Sequence, residues 1–261
     1  MRAVRRLLSL ATVALVLSAC GQSADHHAIE PPDREPIVSP VPRPPVAPAC
    51  PTGPLTTRRS ATVLHAISAF RARRSPGGPV LARIATLNRF GLPTAMLALE
   101  ARVGRSCLPT WYRAKLPLQP NGVTAWVPAW AVASTRVSSR LVADISARRL
   151  DLYRGGTRLL RLRAGFGADL TPTPIGSFYI DAHWRVSDAA GPYGPAVLAI
   201  AAYSEAPRGR WERGVAAAVH GTNAPWTIGH RASHGCIHVA NAELSRLLRL
   251  VPDGTPIVIR A

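Results

Sequence analysis

The chain has 261 residues, enough for one large domain or two modest ones that each bury a core. It carries 32 Lys and Arg residues against 14 Asp and Glu, which gives a formal net charge of +18. We find no zinc-finger spacing, aromatic RNA-binding signature or basic heptad region, so we expect no nucleic-acid partner. The charge either enriches the protein near anionic surfaces, such as phospholipid headgroups and acidic wall polymers, or reflects a genomic bias toward Arg codons.

The first twenty residues predict export. Three arginines within Arg2–Arg6 precede the apolar run Leu7–Leu17, which is shorter than the about 20 residues of a permanent membrane-spanning helix and is typical of a signal peptide. The segment Leu17-Ser18-Ala19-Cys20 resembles the lipobox of bacterial lipoproteins, in which the cysteine is acylated and becomes the first mature residue. Unless this is a chance match, residues 1–20 are a lipoprotein signal peptide. Cys20 then anchors an exported protein to the membrane, facing the cell wall or periplasm.

Residues 21–54 are predicted to form a tether. Ten of the residues from Pro31 to Pro54 are proline, a composition that favours extended polyproline II over packing. At roughly 3.1 Å per residue, such a segment holds the folded part of the chain some tens of ångströms from the membrane.

The four cysteines divide into separate roles. Cys20 falls in the lipobox-like segment and Cys236 in the motif described below, which leaves Cys50 and Cys107. In the oxidising surroundings of an exported protein these two can form a disulfide, and closing a loop of this length contributes about 4 kcal/mol in the chain-entropy model. Two buried free thiols are the alternative.

Residues 55–137 are predicted to form a small all-β domain, because short apolar runs are separated by Gly, Pro and Asn. The segments Trp111–Pro117, Pro120-Asn121-Gly122 and Trp126-Val127-Pro128 resemble the SH3-like module that precedes the catalytic domain in many actinobacterial-type L,D-transpeptidases. Both residues of Asn121-Gly122 tolerate positive φ, which predicts a tight hairpin turn. Four aromatic residues belong either to the core or to a ligand groove: Trp111, Tyr112, Trp126 and Trp130.

Residues 138–261 are predicted to form a second domain rich in strands. Alternating leucines flank Arg154-Gly155-Gly156-Thr157, which indicates a hairpin with one buried face. The proline-rich segments Thr171–Gly176 and Gly191–Pro195 are predicted loops. A last strand is expected at Pro256–Ile259.

A single helix is predicted after residue 240. Asn241 is expected to cap it, and Glu243 lies in the first turn, where a negative charge is favourable. Pro252-Asp253-Gly254 is expected to end it. The apolar residues that share one face of this helix are Leu244, Leu247, Leu248 and Val251.

Two histidines and a cysteine gather in one stretch of the second domain. His220-Gly221 is followed after a short interval by Ser233-His234-Gly235-Cys236. A thiol is nucleophilic only as thiolate, so a cysteine enzyme needs a neighbour that takes the proton, and histidine is the usual partner. Gly235 beside the nucleophile lets substrate approach the backbone and lets amide N–H groups face an oxyanion.

This pattern resembles the signature of L,D-transpeptidase (YkuD-type) catalytic domains, a likeness that extends to the loops Thr171–Gly176 and Gly191–Pro195. The resemblance implies a mainly β fold: a β-sandwich-like catalytic domain with one helix in its C-terminal region, preceded by a small SH3-like β-barrel domain. It also implies that Cys236 attacks a tetrapeptide stem of peptidoglycan, releases D-Ala and forms an acyl-enzyme. An amine of a neighbouring stem then resolves the thioester as a 3→3 cross-link, and no cofactor is expected.

The resemblance also implies roles for the neighbouring residues. His220 is the expected base, the Gly221 carbonyl orients its ring, and the amides of Gly235 and Cys236 contribute to the oxyanion hole. His234 is expected to shape the pocket.

The residues expected to bind substrate are less closely defined by the motif. Ser233 fixes the turn at the edge of the pocket, while Tyr193 and Trp226 either line the donor groove or are structural. Family members commonly carry Arg two residues after the cysteine, where this chain has His238. Because histidine lacks a permanent charge, this change alters either stem recognition, pH dependence or activity.

Three alternatives stay open. His230, His234 and His238 are spaced by four and could bind a metal on a helix, but Ser233-His234-Gly235 is poor helix sequence, so we expect no metal. The domain could be an inactive one that binds peptidoglycan and tethers it to the membrane. The third alternative is another Cys/His acyltransferase, such as an amidase or a sortase-like enzyme. Sortase-type enzymes, however, place an Arg far downstream of the cysteine.

Overall fold

The computed structural model describes Cys50, residues 53–203 and residues 216–261. All of these belong to one compact unit, Pro48–Ala261, which is separate from a first unit, Met1–Ala47. The signal peptide, Cys20 and nearly all of the tether therefore lie outside the described residues, and what the sequence indicates for them stays a prediction.

The first part of the described chain forms an antiparallel sheet of seven strands. The strands are β1 (Ala61–Ala66), β2 (Phe70–Arg73), β3 (Val80–Ile84), β4 (Ala95–Val103), β5 (Pro109–Lys115), β6 (Thr124–Pro128) and β7 (Val132–Val137). Their order across the sheet is β3-β2-β6-β5-β4-β1-β7, and a 3₁₀ helix at Ala129–Ala131 joins β6 to β7. Leu64, Met96 and Val127 are fully buried in the core of this sheet. Its likeness to an SH3 domain stays a prediction.

The connection between β5 and β6 differs from the expected tight hairpin. Lys115 pairs with Thr124, so the loop runs over residues 116–123, and only Gly122 of the Asn121-Gly122 pair has positive φ. The Asn121 side chain instead contacts the second sheet, where its amide donates to Tyr203 O (2.8 Å) and accepts from Tyr203 N (2.7 Å). The predicted hairpin turn is therefore present between β5 and β6, but it is longer than a two-residue turn and only its glycine adopts positive φ.

The second part of the chain forms an eight-stranded sheet and a parallel pair of short strands. The strands are β8 (Ser139–Asp144), β9 (Arg149–Arg154), β10 (Thr157–Arg163), β11 (Phe166–Gly167), β12 (Gly176–Arg185), β13 (Ala196–Tyr203), β14 (Ala216–His220), β15 (Arg231–Ser233), β16 (Ile237–His238) and β17 (Pro256–Arg260). The large sheet has the order β10-β9-β8-β17-β12-β13-β14-β16, and β11 pairs with β15. Strands β9 and β10 form the predicted hairpin, with Gly155 and Gly156 at positive φ.

One α-helix, α1 (Asn241–Leu250), occurs among the described residues, and it packs Leu244 and Leu247 into the core of the second sheet. The predicted buried face is therefore confirmed, but the predicted cap is wrong. The N-cap position is Ala240, without a side-chain cap, because the carboxamide oxygen of Asn241 accepts a hydrogen bond from Thr222 N (2.8 Å) instead. The mainly β fold with one helix near the C-terminus is confirmed.

The two sheets meet through a small apolar cluster of Ala61, Leu97, Tyr179 and Ala201. A disulfide joins Cys50 to Cys107, the two cysteines to which the sequence motifs assign no other role. Cys107 lies between β4 and β5 of the first sheet. In the part of the chain that the structure describes, no helix has the length and apolar character to cross a membrane.

Candidate active site

Cys236 lies in a tight turn between β15 and β16, which Ser233 fixes. The Ser233 hydroxyl donates to Cys236 O (2.6 Å) and accepts from Gly235 N (3.3 Å). Gly235 has a φ of +112°, a conformation that side-chain-bearing residues rarely adopt. Sequence reasoning assigned Ser233 to the turn and Gly235 to substrate access. The structure adds that the turn itself requires glycine.

The loop Thr171–Thr173 supports this turn through a hydrogen bond to Ser233. Thr171 Oγ1 donates to Ser233 O (3.0 Å), and Thr173 Oγ1 accepts from Gly167 N (2.8 Å) on β11. Both threonines are buried, and a side chain at Gly167 would meet Thr171 O at 2.2 Å. Sequence reasoning predicted a loop here but missed its role, because the contact joins segments far apart in the chain.

His220 ends β14, which runs parallel to β16 and places His220 beside His238 in register. Its ring nitrogen Nδ1 lies 2.6 Å from Gly221 O. A carbonyl oxygen only accepts hydrogen bonds, so Nδ1 carries the proton and Nε2 has the free lone pair of the neutral ring. Burial lowers the pKa of His220, and the bond to Gly221 opposes that effect. The ring is therefore oriented and neutral at pH 7.

The thiol of Cys236 is also held in its neutral form. Burial raises the pKa of Cys236, while a hydrogen bond with the backbone of Ala218 on β14 opposes the rise. Cys236 and His220 thus line the same cavity in neutral form. From a neutral thiol, a proton passes to a neutral imidazole only as the sulfur attacks. This arrangement suits nucleophilic catalysis with His220 as base.

A close-packed corner positions the backbone on which His220 depends. Gly194 and Gly221 approach so closely that an added Cβ on Gly194 would lie 2.8 Å from Gly221 Cα. The same Cβ would meet the Asn241 carboxamide oxygen at 2.4 Å, and Gly194 has a φ of +62°. Through its bond to Thr222 N, Asn241 thus links the helix to the segment that carries the Gly221 carbonyl. Sequence reasoning assigned Asn241 to the helix cap and missed this role.

His238 is neutral and has a defined tautomer. Its Nδ1 lies 2.9 Å from Thr227 Oγ1, whose single proton is donated to Ala224 O (2.7 Å). His238 Nδ1 is therefore the donor, which leaves Nε2 as an acceptor. Burial lowers the pKa of His238 to about 4, with smaller contributions from His220 and His234. The rings of His220 and His238 lie 4.7 Å apart, centroid to centroid.

A single cavity of about 910 Å³ collects most of the predicted site residues, a size typical of sites for small ligands. Tyr193 is half exposed at its rim and meets the His220 ring edge-on at 5.0 Å. Trp226 is outside the lining and 73% exposed, because the 3₁₀ turn Pro225–Thr227 directs it to solvent. The predicted site residues that line the cavity are Tyr193, His220, Ser233, His234, Gly235, Cys236 and His238.

The spaced histidines do not share a helix. His230 lies in a loop, His234 in the turn before Cys236, and His238 on β16. Within residues 53–203 and 216–261, no group of three or more His, Cys, Asp or Glu side chains is placed to hold a metal ion.

Residues 138–259 match the family model for the YkuD L,D-transpeptidase catalytic domain. The YkuD protein of Bacillus subtilis (strain 168) is 30% identical over 119 residues, which cover 46% of this chain and 64% of that protein. The YbiS protein of Escherichia coli (strain K12) is 30% identical over 157 residues, which cover 53% of this chain and 50% of that protein. The chain thus spans less than two thirds of the length of either relative.

Among solved structures, an L,D-transpeptidase from Mycobacterium smegmatis is similar at 20% identity and a TM-score of 0.39, over 64% of this chain and 91% of that one. The family match to residues 138–259 confirms the prediction from the Cys and His motif for this part of the chain. Over these residues the chain is similar to YkuD-type L,D-transpeptidase catalytic domains.

Proposed function

We propose that the protein is a peptidoglycan L,D-transpeptidase that uses Cys236 as nucleophile and His220 as base. The observation that carries this proposal is the short bond from His220 Nδ1 to Gly221 O, in a cavity that Cys236 also lines. The bond leaves Nε2 as the basic nitrogen of an oriented ring, which is the requirement for activating a thiol.

In the first step His220 Nε2 takes the proton of the Cys236 thiol as the sulfur attacks the carbonyl carbon that precedes the terminal D-Ala of a tetrapeptide stem. The carbon–nitrogen bond to D-Ala breaks, and the same proton passes from His220 to the leaving amine. The product is a thioester between Cys236 and the shortened stem, plus free D-Ala.

In the second step the side-chain amine of a neighbouring stem attacks the thioester carbonyl. His220 accepts a proton from that amine, the carbon–sulfur bond breaks, and the sulfur of Cys236 recovers the proton. The new amide is a 3→3 cross-link between two stems.

The tetrahedral intermediates of both steps place negative charge on the former carbonyl oxygen. Gly235 N is engaged with Ser233 Oγ, so the amide of Cys236 is the better candidate to stabilise this oxyanion. His238 Nε2 is a neutral acceptor at the cavity wall and suits an N–H group of the stem peptide.

The cross-linking reaction is tested by incubating the full chain with disaccharide-tetrapeptide and separating the products by liquid chromatography and mass spectrometry. Wild type is expected to release D-Ala and form a 3→3 dimer, whereas Cys236→Ala forms neither. Arg83→Gln, a change on exposed β3, is the matched control and retains the wild-type rate. Binding of the muropeptide by wild type without any D-Ala release would instead favour a non-enzymatic wall-binding protein.

We also propose that the protein is exported and anchored through a lipid on Cys20, so that the tether carries the catalytic domain toward the wall. The support is the lipobox-like sequence, the signal-peptide pattern and the proline-rich segment that follows. The native protein is expected to partition into detergent, and Cys20→Ala is expected to release it from membranes. An unchanged membrane fraction for that variant would contradict the anchor.

A further inference from the structure

The first sheet carries a concave surface of its own, distinct from the cavity at Cys236. It is a groove of about 510 Å³ formed by β2, β5 and β6, where Trp111 of β5 pairs with Pro128 of β6 across the sheet. Trp130, in the 3₁₀ turn that follows β6, also lines it. Among the described residues, none lines both this groove and the cavity at Cys236. The groove is therefore a separate candidate site.

The structure separates aromatic residues that the sequence assigned to a core or to a ligand groove. Tyr112 is buried in the core of the first sheet, whereas Trp111 and Trp130 line the groove. Trp130 is 69% exposed, but its neighbour Ala131 is fully buried and accepts a hydrogen bond from Ile67 N (3.0 Å). The turn that presents this indole is therefore fixed. A ligand can cover the indole at little cost in conformational entropy.

Two arginines of β2 also line the groove. Arg71 and Arg73 alternate with the buried residues Phe70 and Ala72, so both project from the outer face of the sheet. Arg71 is exposed. Nη1 of Arg73 donates to Gly78 O (2.5 Å), which holds this side chain against the hairpin of β2 and β3. The groove thus combines two indole rings with two permanent positive charges.

The positive charge extends over the whole first sheet. Residues 53–137 contain a single acidic residue, Glu100, and its Oε1 lies 2.7 Å from Nε of Arg113. Residues 138–261 contain nine acidic residues, so a bias toward Arg codons, which acts on the whole chain, does not explain the difference. A surface of this sign attracts a partner with repeated negative charges. The twelve basic residues of the first part are Arg58, Arg59, Arg71, Arg73, Arg74, Arg83, Arg89, Arg102, Arg105, Arg113, Lys115 and Arg136.

We propose that the groove binds a phosphate-bearing glycan of the cell wall. The apolar C–H faces of its sugar rings cover the indoles of Trp111 and Trp130, and phosphates between the sugars pair with the guanidinium groups of Arg71 and Arg73. A planar bilayer meets exposed arginines but does not fill a groove, and an uncharged glycan leaves the positive charge unused. This choice of polymer rests on the proposed function, because an enzyme that cross-links peptidoglycan works among wall polymers.

The test compares how three probes bind the full chain in isothermal titration calorimetry. The probes are an oligomer of N-acetylglucosamine units joined by phosphodiesters, the uncharged oligomer of the same sugar, and inorganic polyphosphate. Wild type is expected to bind the sugar-phosphate oligomer most tightly, because this probe alone offers both ring faces and charge. Trp130→Ala is expected to weaken that binding about tenfold, as loss of one aromatic stacking contact does, and to leave polyphosphate binding unchanged. Arg71→Gln is expected to weaken both charged probes and to leave the uncharged one unaffected.

Two matched controls remove the same groups elsewhere. Trp226→Ala removes an indole that is 73% exposed and lies outside the groove. Arg136→Gln removes an exposed charge from β7, at the edge of the first sheet opposite to β3. Both controls are expected to bind the sugar-phosphate oligomer like wild type. Thermal melts of Trp130→Ala and Arg71→Gln are expected to match wild type, because both side chains are exposed, so that lost binding is not lost folding.

The outcomes separate this inference from the proposed function, because release of D-Ala from disaccharide-tetrapeptide by wild type is measured in parallel. Unchanged binding by Trp130→Ala and Arg71→Gln overturns the inference, and so does an equal loss in Arg136→Gln, which would show a diffuse field. If anionic phospholipid vesicles or single-stranded DNA bind as tightly and lose as much with Trp130→Ala, the partner is not a glycan and the inference is overturned. In each case D-Ala release leaves the proposed function standing. If the oligomer binds as expected but no D-Ala is released, the proposed function alone is contradicted.

Discussion

The central residues of the site are a neutral pair in the resting protein. Burial raises the pKa of Cys236 and lowers that of His220, so neither group is charged near pH 7. A thiolate–imidazolium pair would shift both values in the opposite directions. The bond to Gly221 sets the tautomer of His220.

The raised pKa predicts how Cys236 reacts with an alkylating agent. Only the thiolate reacts, so the rate of iodoacetamide labelling at Cys236 is expected to rise with pH and to level off only above the ordinary thiol pKa. Labelling of the full chain is followed by peptide mapping, and a free cysteine peptide provides the reference curve. A plateau below pH 7 would show a preformed ion pair and contradict the neutral state.

We predict that His238 makes the folded protein less stable in acid. Its folded-state pKa of about 4 lies below its ordinary value of 6.5, so the unfolded chain binds the proton more readily. The stability contributed by neutral His238 is present above pH 6.5 and is lost as the pH falls toward 4. Chemical denaturation of His238→Gln is expected to show a shallower decline from pH 7 to pH 5 than wild type. His220 is present in both proteins, so its contribution to the pH dependence of stability is the same in each. Equal slopes for wild type and His238→Gln would therefore contradict the assignment of this decline to His238.

At the residue scale, the sequence pointed to the groups proposed to act in chemistry but not to all of those that position them. Cys236 and His220 are recognisable because thiol, imidazole and glycine are close in sequence. Thr227 gave no such signal, because its role arises from a contact with a residue of another strand, His238.

At the scale of elements, local patterns predicted the regular structure where side chains serve their own element. The leucines of α1 and the Gly155-Gly156 hairpin are examples. Asn121 and Asn241 were assigned to a turn and a cap that each could form locally, yet both side chains bind the backbone of another segment. When a polar side chain has two possible hydrogen-bond partners, tertiary packing decides which of them it binds. A local sequence pattern contains no information about that packing.

The bond between Asn241 and Thr222 predicts that the helix supports the active-site corner. Asn241→Ala removes the acceptor for Thr222 N and is expected to lower the free energy of unfolding by about 1–3 kcal/mol. It is also expected to slow D-Ala release, because the segment that carries the Gly221 carbonyl loses its link to α1. Asn223→Ala, at an exposed position, serves as the stability control. Denaturation curves that coincide for both variants would contradict this role.

At the scale of the whole molecule, the two sheets act as one structure. They share the Ala61, Leu97, Tyr179 and Ala201 cluster, the Asn121–Tyr203 pair and the tilted ring contact of Phe90 with Trp184. Sequence patterns predicted a β-rich segment on each side of residue 138, but not that the first would contribute a wall of the cavity at Cys236. This arrangement depends on how two surfaces fit, which hydrophobic periodicity does not specify.

We predict that the disulfide contributes strongly to the stability of the first sheet. Cys50 and Cys107 are separated by 57 residues. Closing a loop of that length restricts the unfolded chain by about 4 kcal/mol at 25 °C in the chain-entropy model. The double variant Cys50→Ser, Cys107→Ser is expected to lose about that much free energy of unfolding, and reductant is expected to destabilise wild type but not the variant. Equal stability of wild type with and without reductant would contradict a closed bridge.

The proposed mechanism requires a covalent bond between the stem peptide and Cys236. The measurement that tests it is intact-mass spectrometry with peptide mapping of the full chain after brief exposure to disaccharide-tetrapeptide without an amine acceptor. We expect an adduct equal to the stem less D-Ala on the peptide that contains Cys236, absent in Cys236→Ala and formed much more slowly in His220→Gln. An adduct on another residue, or release of D-Ala by Cys236→Ala at the wild-type rate, would contradict it.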